Sequence, residues 1–143
     1  MLEAYVIRAA TKGDLDAVYE LMRQLSRHHF TKEQFESCYL YNLENNHILV
    51  CEENKYVRGC GVLNIHYPLH FSRKSAEIVN LVVDATSRSR GIGKKLLASL
   101  EQIAASQGCA CIEVDSGKHR DGAHRFYCRE GFVNDHYKFT KEL

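Results

Sequence analysis

Proline occurs once, at Pro68, and no stretch is rich in glycine and serine, so nothing reads as a linker between folded units. No repeat or low-complexity tract is present. No window approaches the roughly 20 consecutive apolar residues that a membrane-spanning helix needs. The N-terminal MLEAYVIRAATKGD has neither a long apolar run nor a basic stretch leading into one, which argues against a secretory signal. Charge of one sign is not in excess either, because 19 basic and 18 acidic residues leave a net +1. That balance excludes a whole-surface field for nucleic acid or anionic lipid, so an anionic ligand must meet a local patch. The 143 residues suit one globular core. The expectation is one cytoplasmic domain over residues 1–143, with no nucleic-acid or membrane partner. The oligomeric state stays open, a homodimer included.

Cysteine and histidine are plentiful but poorly patterned. Cys38, Cys51, Cys60, Cys109, Cys111 and Cys128 fall mostly inside apolar segments, which predicts reduced, small, buried side chains and not a disulfide framework. No C-x-x-C, H-E-x-x-H or Cys/His zinc spacing occurs. His28 with His29, and His66 with His70, are the histidines a metal site would draw on; the plainer reading is surface or cleft histidines, and no metal is expected.

Periodicity gives the order β-α-α-β-β-β-α-β-α-β. A strand over Ala4–Arg8 precedes a helix opened by Thr11 and Asp14, with Leu15, Val18, Met22 and Leu25 at helical spacing. Thr31 and Gln34 form a capping box, with Phe30 and Phe35 as its hydrophobic staple, ahead of a helix over Lys32–Leu43. His47–Cys51 and Tyr56–Tyr67 read as a hairpin. Glu77–Val83 reads as a buried strand. A helix then runs to about Gln107, where Gly108 stops it. Cys109–Asp115 reads as a strand, Ala123–Glu130 as a short helix, and Phe132–Leu143 as a last strand or two. Strands and helices mixed in this way predict an α/β sandwich around a mixed sheet.

The most informative segment is Arg88-Ser89-Arg90-Gly91-Ile92-Gly93-Lys94, between a buried strand and an amphipathic helix. A helix start presents about four unpartnered N–H groups and roughly half a positive charge. Gly91 and Gly93 let the backbone approach a ligand closely, and Arg88, Arg90, Lys94 and Lys95 add charge. The product is a cradle for phosphate or pyrophosphate. It is neither a G-x-x-x-x-G-K-[ST] loop nor G-x-G-x-x-G. The plain alternative is a basic, glycine-assisted helix start with no ligand.

Arg88-x-x-Gly91-x-Gly93 resembles the R/Q-x-x-G-x-G/A signature of the GNAT acetyltransferase superfamily, and the element order resembles that fold over essentially the whole chain. The ending A-H-R-F-Y-C-R-E-G-F, then K-F-T-K-E-L, is most similar to the aminoalkylphosphonate N-acetyltransferases of that superfamily. The resemblance implies a mostly antiparallel central sheet with one splayed parallel pair and helices on both faces. It implies acetyl-CoA as cosubstrate, with the pantetheine arm bound along Leu81, Val82 and Val83 and the pyrophosphate on Arg88 through Lys94. A bulge there would splay that strand from Cys111–Asp115, and the acetyl group would enter the gap. Tyr127 matches the tyrosine near the CoA sulfur.

Acetyl transfer needs a neutral amine, a donor for the developing oxyanion and a proton for the departing thiolate. Tyr127, a phenol protonated at neutral pH, is the candidate acid; its alternative is a buried aromatic beside Phe126. Glu77 is the candidate base, on the reasoning that alternation puts Glu77, Val79 and Leu81 on one face; its alternative is a surface glutamate. Asn80 and His124 are weaker candidates. For an acceptor bearing a phosphonate or carboxylate, the candidate cations are His28 beside Arg27 and His29, Arg73 and Lys74, and Arg120 beside Lys118 and His119. The resulting expectation is direct attack in a ternary complex on a small anionic primary amine. The alternatives are acetylation of a protein N-terminus, a lysine or a polyamine, or a non-catalytic acyl-CoA-binding module.

Overall fold

The structure is a computed structural model and describes residues 5–143. Five strands, β1 (Tyr5–Ala9), β2 (His47–Glu53), β3 (Tyr56–His66), β4 (Ser75–Val83) and β5 (Cys111–Val114), form one sheet in the order β1-β2-β3-β4-β5. The first four pair antiparallel and β5 pairs parallel to β4. Helices α1 (Leu15–Leu25), α2 (Lys32–Asn45), α3 (Ile92–Ser106) and α4 (Asp121–Arg129), with short 3-10 turns at Lys12–Asp14 and Ala85–Ser87, complete the described elements. No helix among the described residues is long and apolar enough to cross a membrane.

The local rules account for most boundaries. Thr11 and Asp14 form their reciprocal cap, but around a short 3-10 turn ahead of α1. The Thr31 N–H donates to Gln34 Oε1 at 2.8 Å, while Gln34 N–H donates to Thr31 Oγ1 at 3.1 Å. The staple closes with the Phe30 and Phe35 rings 6.0 Å apart. Asn54 and Lys55 both adopt positive φ, which matches the right-handed twist of a tight β2–β3 hairpin. The first strand, expected from Ala4, is seen from Tyr5 onward; Ala4 lies outside the described residues.

Two cores flank the sheet. One face packs Val50, Cys60, Val62 and Val82 against Val18, Leu21 and Met22 of α1 and Tyr39 of α2. The other packs Leu63, Ala76 and Ile78 against Leu97 and Leu100 of α3. Here α3 lies unusually close, since a Cβ on Gly59 would come within 2.9 Å of Leu96 Cδ1 and one on Gly61 within 2.8 Å of Leu100 Cδ1. An ion-pair fork ties β1 to the start of α1: Arg8 donates to both Asp14 oxygens at 2.8 and 2.9 Å and through Nε to Glu52 at 3.0 Å.

Three expectations are corrected. Phe132–Leu143 forms no strand among the described residues; Val133, Tyr137 and Phe139 stand out in solvent even though apolar residues alternate with polar ones there. Alternation alone does not make a strand without a ladder partner. The cysteines are all free, but only Cys51 and Cys60 are fully buried, while Cys38, Cys111 and Cys128 are exposed. Burial pushes the Cys60 thiol up to about 12, so it is an inert core group. Glu77 and Leu81 do not share a face. Leu63 pairs with Ile78 and Val62 with Asn80, leaving Val79 as an extra residue, a bulge that reverses the alternation.

Candidate active site

The bulge at Val79 opens the site. Parallel pairing of β4 with β5 runs from Ser75 with Cys111 to Ile78 with Val114 and then stops. Beyond it, Asn80 through Val83 still pair with β3, so their opposite edge is left with backbone donors and acceptors and no neighbouring strand. After the reversal Leu81 and Val83 pack toward α3, and Val82 packs toward α1.

The cradle lies at the end of this opened edge. Ser89 has φ +65° and Gly91 φ +82°, placing two left-handed residues just before α3. For Ser89 that conformation costs about 1–2 kcal/mol, which the surrounding structure must over-determine. Gly91 is the N-cap and supplies no side-chain cap, so the first amides of α3, from Ile92, Gly93 and Lys94, point outward without one. A Cβ on Gly91 would meet nothing within 4 Å, so its conformation and not a steric clash requires glycine there. The side-chain charges are less free than the sequence suggests. Arg90 donates to Glu53 at 2.5 Å and holds that carboxyl below the usual range, Arg88 Nε donates to Val83 O at 3.3 Å, and Lys94 lies 4.0 Å from Glu130. A diphosphate placed there would meet chiefly main-chain amides.

Tyr127 lines a cavity of about 250 Å³ between the ends of β4 and β5. It comes from α4, wedged edge-on between Phe126 and Phe132 at 5.3 and 5.5 Å, and is 8% exposed. Burial raises its pKa above the ordinary phenol value, with Arg120 opposing weakly. Arg27, His28, His119 and Arg120 line the same cavity, with Arg27 Nη1 3.4 Å from His119 Nδ1. Ser116 Oγ is buried there without a hydrogen-bond partner among the described residues.

The structure thus brings Tyr127, Leu81, Asn80, His28 and Arg120 together. It does not bring Arg73 and Lys74 to them. Those two lie at the paired end of β4, where Arg73 stacks over Phe71 and Lys74 donates to Gln107 O at 2.8 Å. Glu77 stands on that paired half, opposite Asn64 and Glu113, and does not line the cavity. His124 is turned to the Gly117 carbonyl at 2.7 Å. His66 bonds Asn64, and no metal-ligating cluster occurs among the described residues. Sequence reasoning missed Asp115 and Ser116, which line the cavity past the end of β5. Their one signal was position, immediately after the strand expected to splay.

Residues 15–132 match the model of the Acetyltransferase (GNAT) family. An aminoalkylphosphonate N-acetyltransferase of Salmonella typhimurium is 35% identical over 139 residues, covering 96% of this chain and 90% of that protein. The crystal structure of glucosamine-6-phosphate N-acetyltransferase from Arabidopsis thaliana superposes with a TM-score of 0.82 at 25% identity, over 99% of each chain. An aminoglycoside N-acetyltransferase solved in complex with CoA superposes with a TM-score of 0.88 over 99% of this chain and 97% of that one; at 17% identity this is a likeness of fold.

Proposed function

Because this chain belongs to the acetyltransferase (GNAT) family, we propose that it acetylates a small primary amine carrying an anionic group, an aminoalkylphosphonate first, by direct attack in a ternary complex with acetyl-CoA. That it is an acetyl-CoA-dependent N-acetyltransferase follows from the family and from relatives bearing that name. The acceptor and the residue roles are the proposal, along with a single domain over residues 1–143 and a cytoplasmic setting in which its thiols stay reduced.

The observation that carries it is the cavity where β4 leaves β5. The buried phenol of Tyr127 lines it together with Arg27, His28 and Arg120. In this reading the amides of Gly91 to Lys94 hold the diphosphate, with Arg88, Ser89 and Arg90 shaping the loop. The open edge of Leu81–Val83 takes the pantetheine amides. Tyr127 donates its proton to the departing thiolate, its raised pKa keeping it protonated. Arg120 and His28 take the acceptor's anionic group. Arg73 and Lys74 lie too far along β4 for direct contact and serve at most the outer approach of an anion.

For the base, Glu77 faces the same side as Asn80, about 10 Å along the strand by rise per residue, so its route to the amine runs through water. Asp115 lines the cavity itself and favours a second reading in which it takes the proton directly. The test is thiol release from acetyl-CoA over a panel of amines, with Glu77→Gln and Asp115→Asn compared on the best acceptor. Turnover of anionic amines well above neutral and polycationic ones supports the reading. Preference for polyamines or lysine peptides, or CoA binding without turnover of any amine, sinks it. Whichever variant loses the acid limb of the kcat/KM profile identifies the base.

A further inference from the structure

A second cavity, of about 560 Å³, opens between α1, α2 and the sheet. Its walls are apolar: Val18, Met22, Phe30, Phe35, Ile48 and Val62 all contribute. Phe35 stacks between Phe30 and Tyr39 at 6.0 and 5.7 Å, so the aromatic wall is a packed array and not a set of mobile rings. The Tyr39 hydroxyl is committed to Thr11 O at 2.7 Å and so presents the cavity with ring, not phenol. His29, Gln34, Cys38 and Asn42 supply a polar rim, and no Asp, Glu, Lys or Arg lines this cavity.

The two cavities meet. Leu25, Ser26 and Asn80 line both. Asn80 faces this side because of the bulge at Val79, the same feature that opens the acetyl-transfer site. The cationic cavity alone, at about 250 Å³, falls below the roughly 300–1,000 Å³ of typical small-molecule sites, while the apolar one lies within that range. A minimal acceptor with no side chain would leave the larger space unused.

Building on the acceptor reading above, we propose that the acceptor is an amine branched at the carbon bearing nitrogen: its anionic group turns to Arg27, His28 and Arg120, and a bulky apolar or aromatic side chain passes Leu25 and Asn80 into the α1–α2 cavity. The class is an α-amino acid or its 1-aminoalkylphosphonate counterpart with a large hydrophobic side chain. An uncharged apolar wall accepts such a side chain and rejects a second ammonium group, which would be desolvated there without a partner.

The test uses the full chain with acetyl-CoA and five probes: aminomethylphosphonate, 1-aminoethylphosphonate, the phosphonate analogue of phenylalanine, phenylalanine, and 2-phenylethylamine. The expected result is a rise in kcat/KM from the unsubstituted to the benzyl phosphonate on the order of 100-fold, since one methylene in a hydrophobic pocket already gives about 10- to 200-fold. The two benzyl probes that carry an anion tell phosphonate from carboxylate. Cys38→Phe, placed on the exposed rim to fill the cavity, should cut the benzyl-over-unsubstituted ratio at least tenfold. Equal rates for aminomethylphosphonate and the benzyl phosphonate, or an unchanged ratio in Cys38→Phe, would overturn the inference and leave the anionic-amine reading standing. If 2-phenylethylamine is best, the apolar cavity stands and the anion reading falls. No turnover of any probe would overturn both.

Discussion

Replacing Tyr127 by phenylalanine isolates one oxygen. The ring stays held between Phe126 and Phe132, and the residue is nearly buried, so packing is conserved. No hydrogen bond contributes to the raised pKa of its hydroxyl, whose shift comes from burial. Losing it should change stability by no more than about 0.5 kcal/mol, the low end for a single hydrogen bond. If the phenol protonates the leaving thiolate, kcat should fall about 10²- to 10⁴-fold, which is roughly 3–5 kcal/mol of transition-state stabilisation. Saturation by acetyl-CoA should barely move. The pH profile adds a sign. The acid works while protonated, and burial raises its pKa above about 10, so its contribution is full at neutral pH and is lost only as pH rises through that raised value. The wild type should therefore show an alkaline fall above about pH 10 that the variant lacks. The assay is initial-rate thiol release at saturating acceptor, with thermal melting as the control for folding. A variant kcat within threefold of wild type, with the alkaline limb intact, would remove Tyr127 from the chemistry.

Gly91→Asp should fold, because a side chain there meets nothing within 4 Å, yet it puts a carboxylate over the open amides of α3 at a residue with φ +82°. Calorimetry should show CoA binding at least 100-fold weaker, with Gly91→Asn, which tolerates this conformation, much closer to wild type; an unchanged Kd for Gly91→Asp would move the cradle elsewhere. Asp14 is held below the usual carboxylate range, first by its hydrogen bonds from Arg8. Its stabilisation is present above the unfolded value near 3.9 and lost as pH falls through the lower folded value. Arg8→Met should cost about 1.5–3 kcal/mol at pH 7 by urea unfolding, the range for hydrogen bonds to a charged group, and flatten the acid-induced loss below about pH 4. Equal acid sensitivity in wild type and variant would mean that other carboxylates govern it.

What the sequence disclosed was set by interactions between near neighbours. The Thr31–Gln34 box, the Phe30–Phe35 staple and the stop at Gly108 depend on residues within a few positions, and each is readable. The strand, basic glycine loop and helix around Gly91 were readable too, because a helix start announces its own unpaired amides. What escaped depends on partners distant in sequence. The bulge at Val79 exists only in relation to Leu63 and Val62, so strict alternation from Glu77 misplaced Leu81. Arg90 carries a charge that reads as free in the sequence, whereas Glu53, 37 residues away, pairs with it. Arg73 and Lys74 were grouped with the site by closeness in sequence to β4, but they adjoin its paired end. Phe132–Leu143 carries a strand's alternation without a strand, since it pairs with no edge among the described residues.

One inserted residue accounts for more of this site than any single side chain. Pairing of β4 with β5 persists while both strands keep a common register, and it ends at Ile78, the last residue before the bulge. The same residue reverses the faces of β4. It sends Leu81 and Val83 toward α3, where the cradle begins, and turns Asn80 to the α1–α2 side, where the two cavities join. In the proposed reading, this single reversal directs one half of the reaction to each face of the sheet: the thioester donor along the α3 side and the amine from the α1–α2 side, with Tyr127 lining the gap between them. Deleting Val79 would restore regular alternation and let β4 zip further along β5. That change should close the gap while leaving both cores intact, which makes the bulge, and not the composition of the cleft, the primary device of the active site.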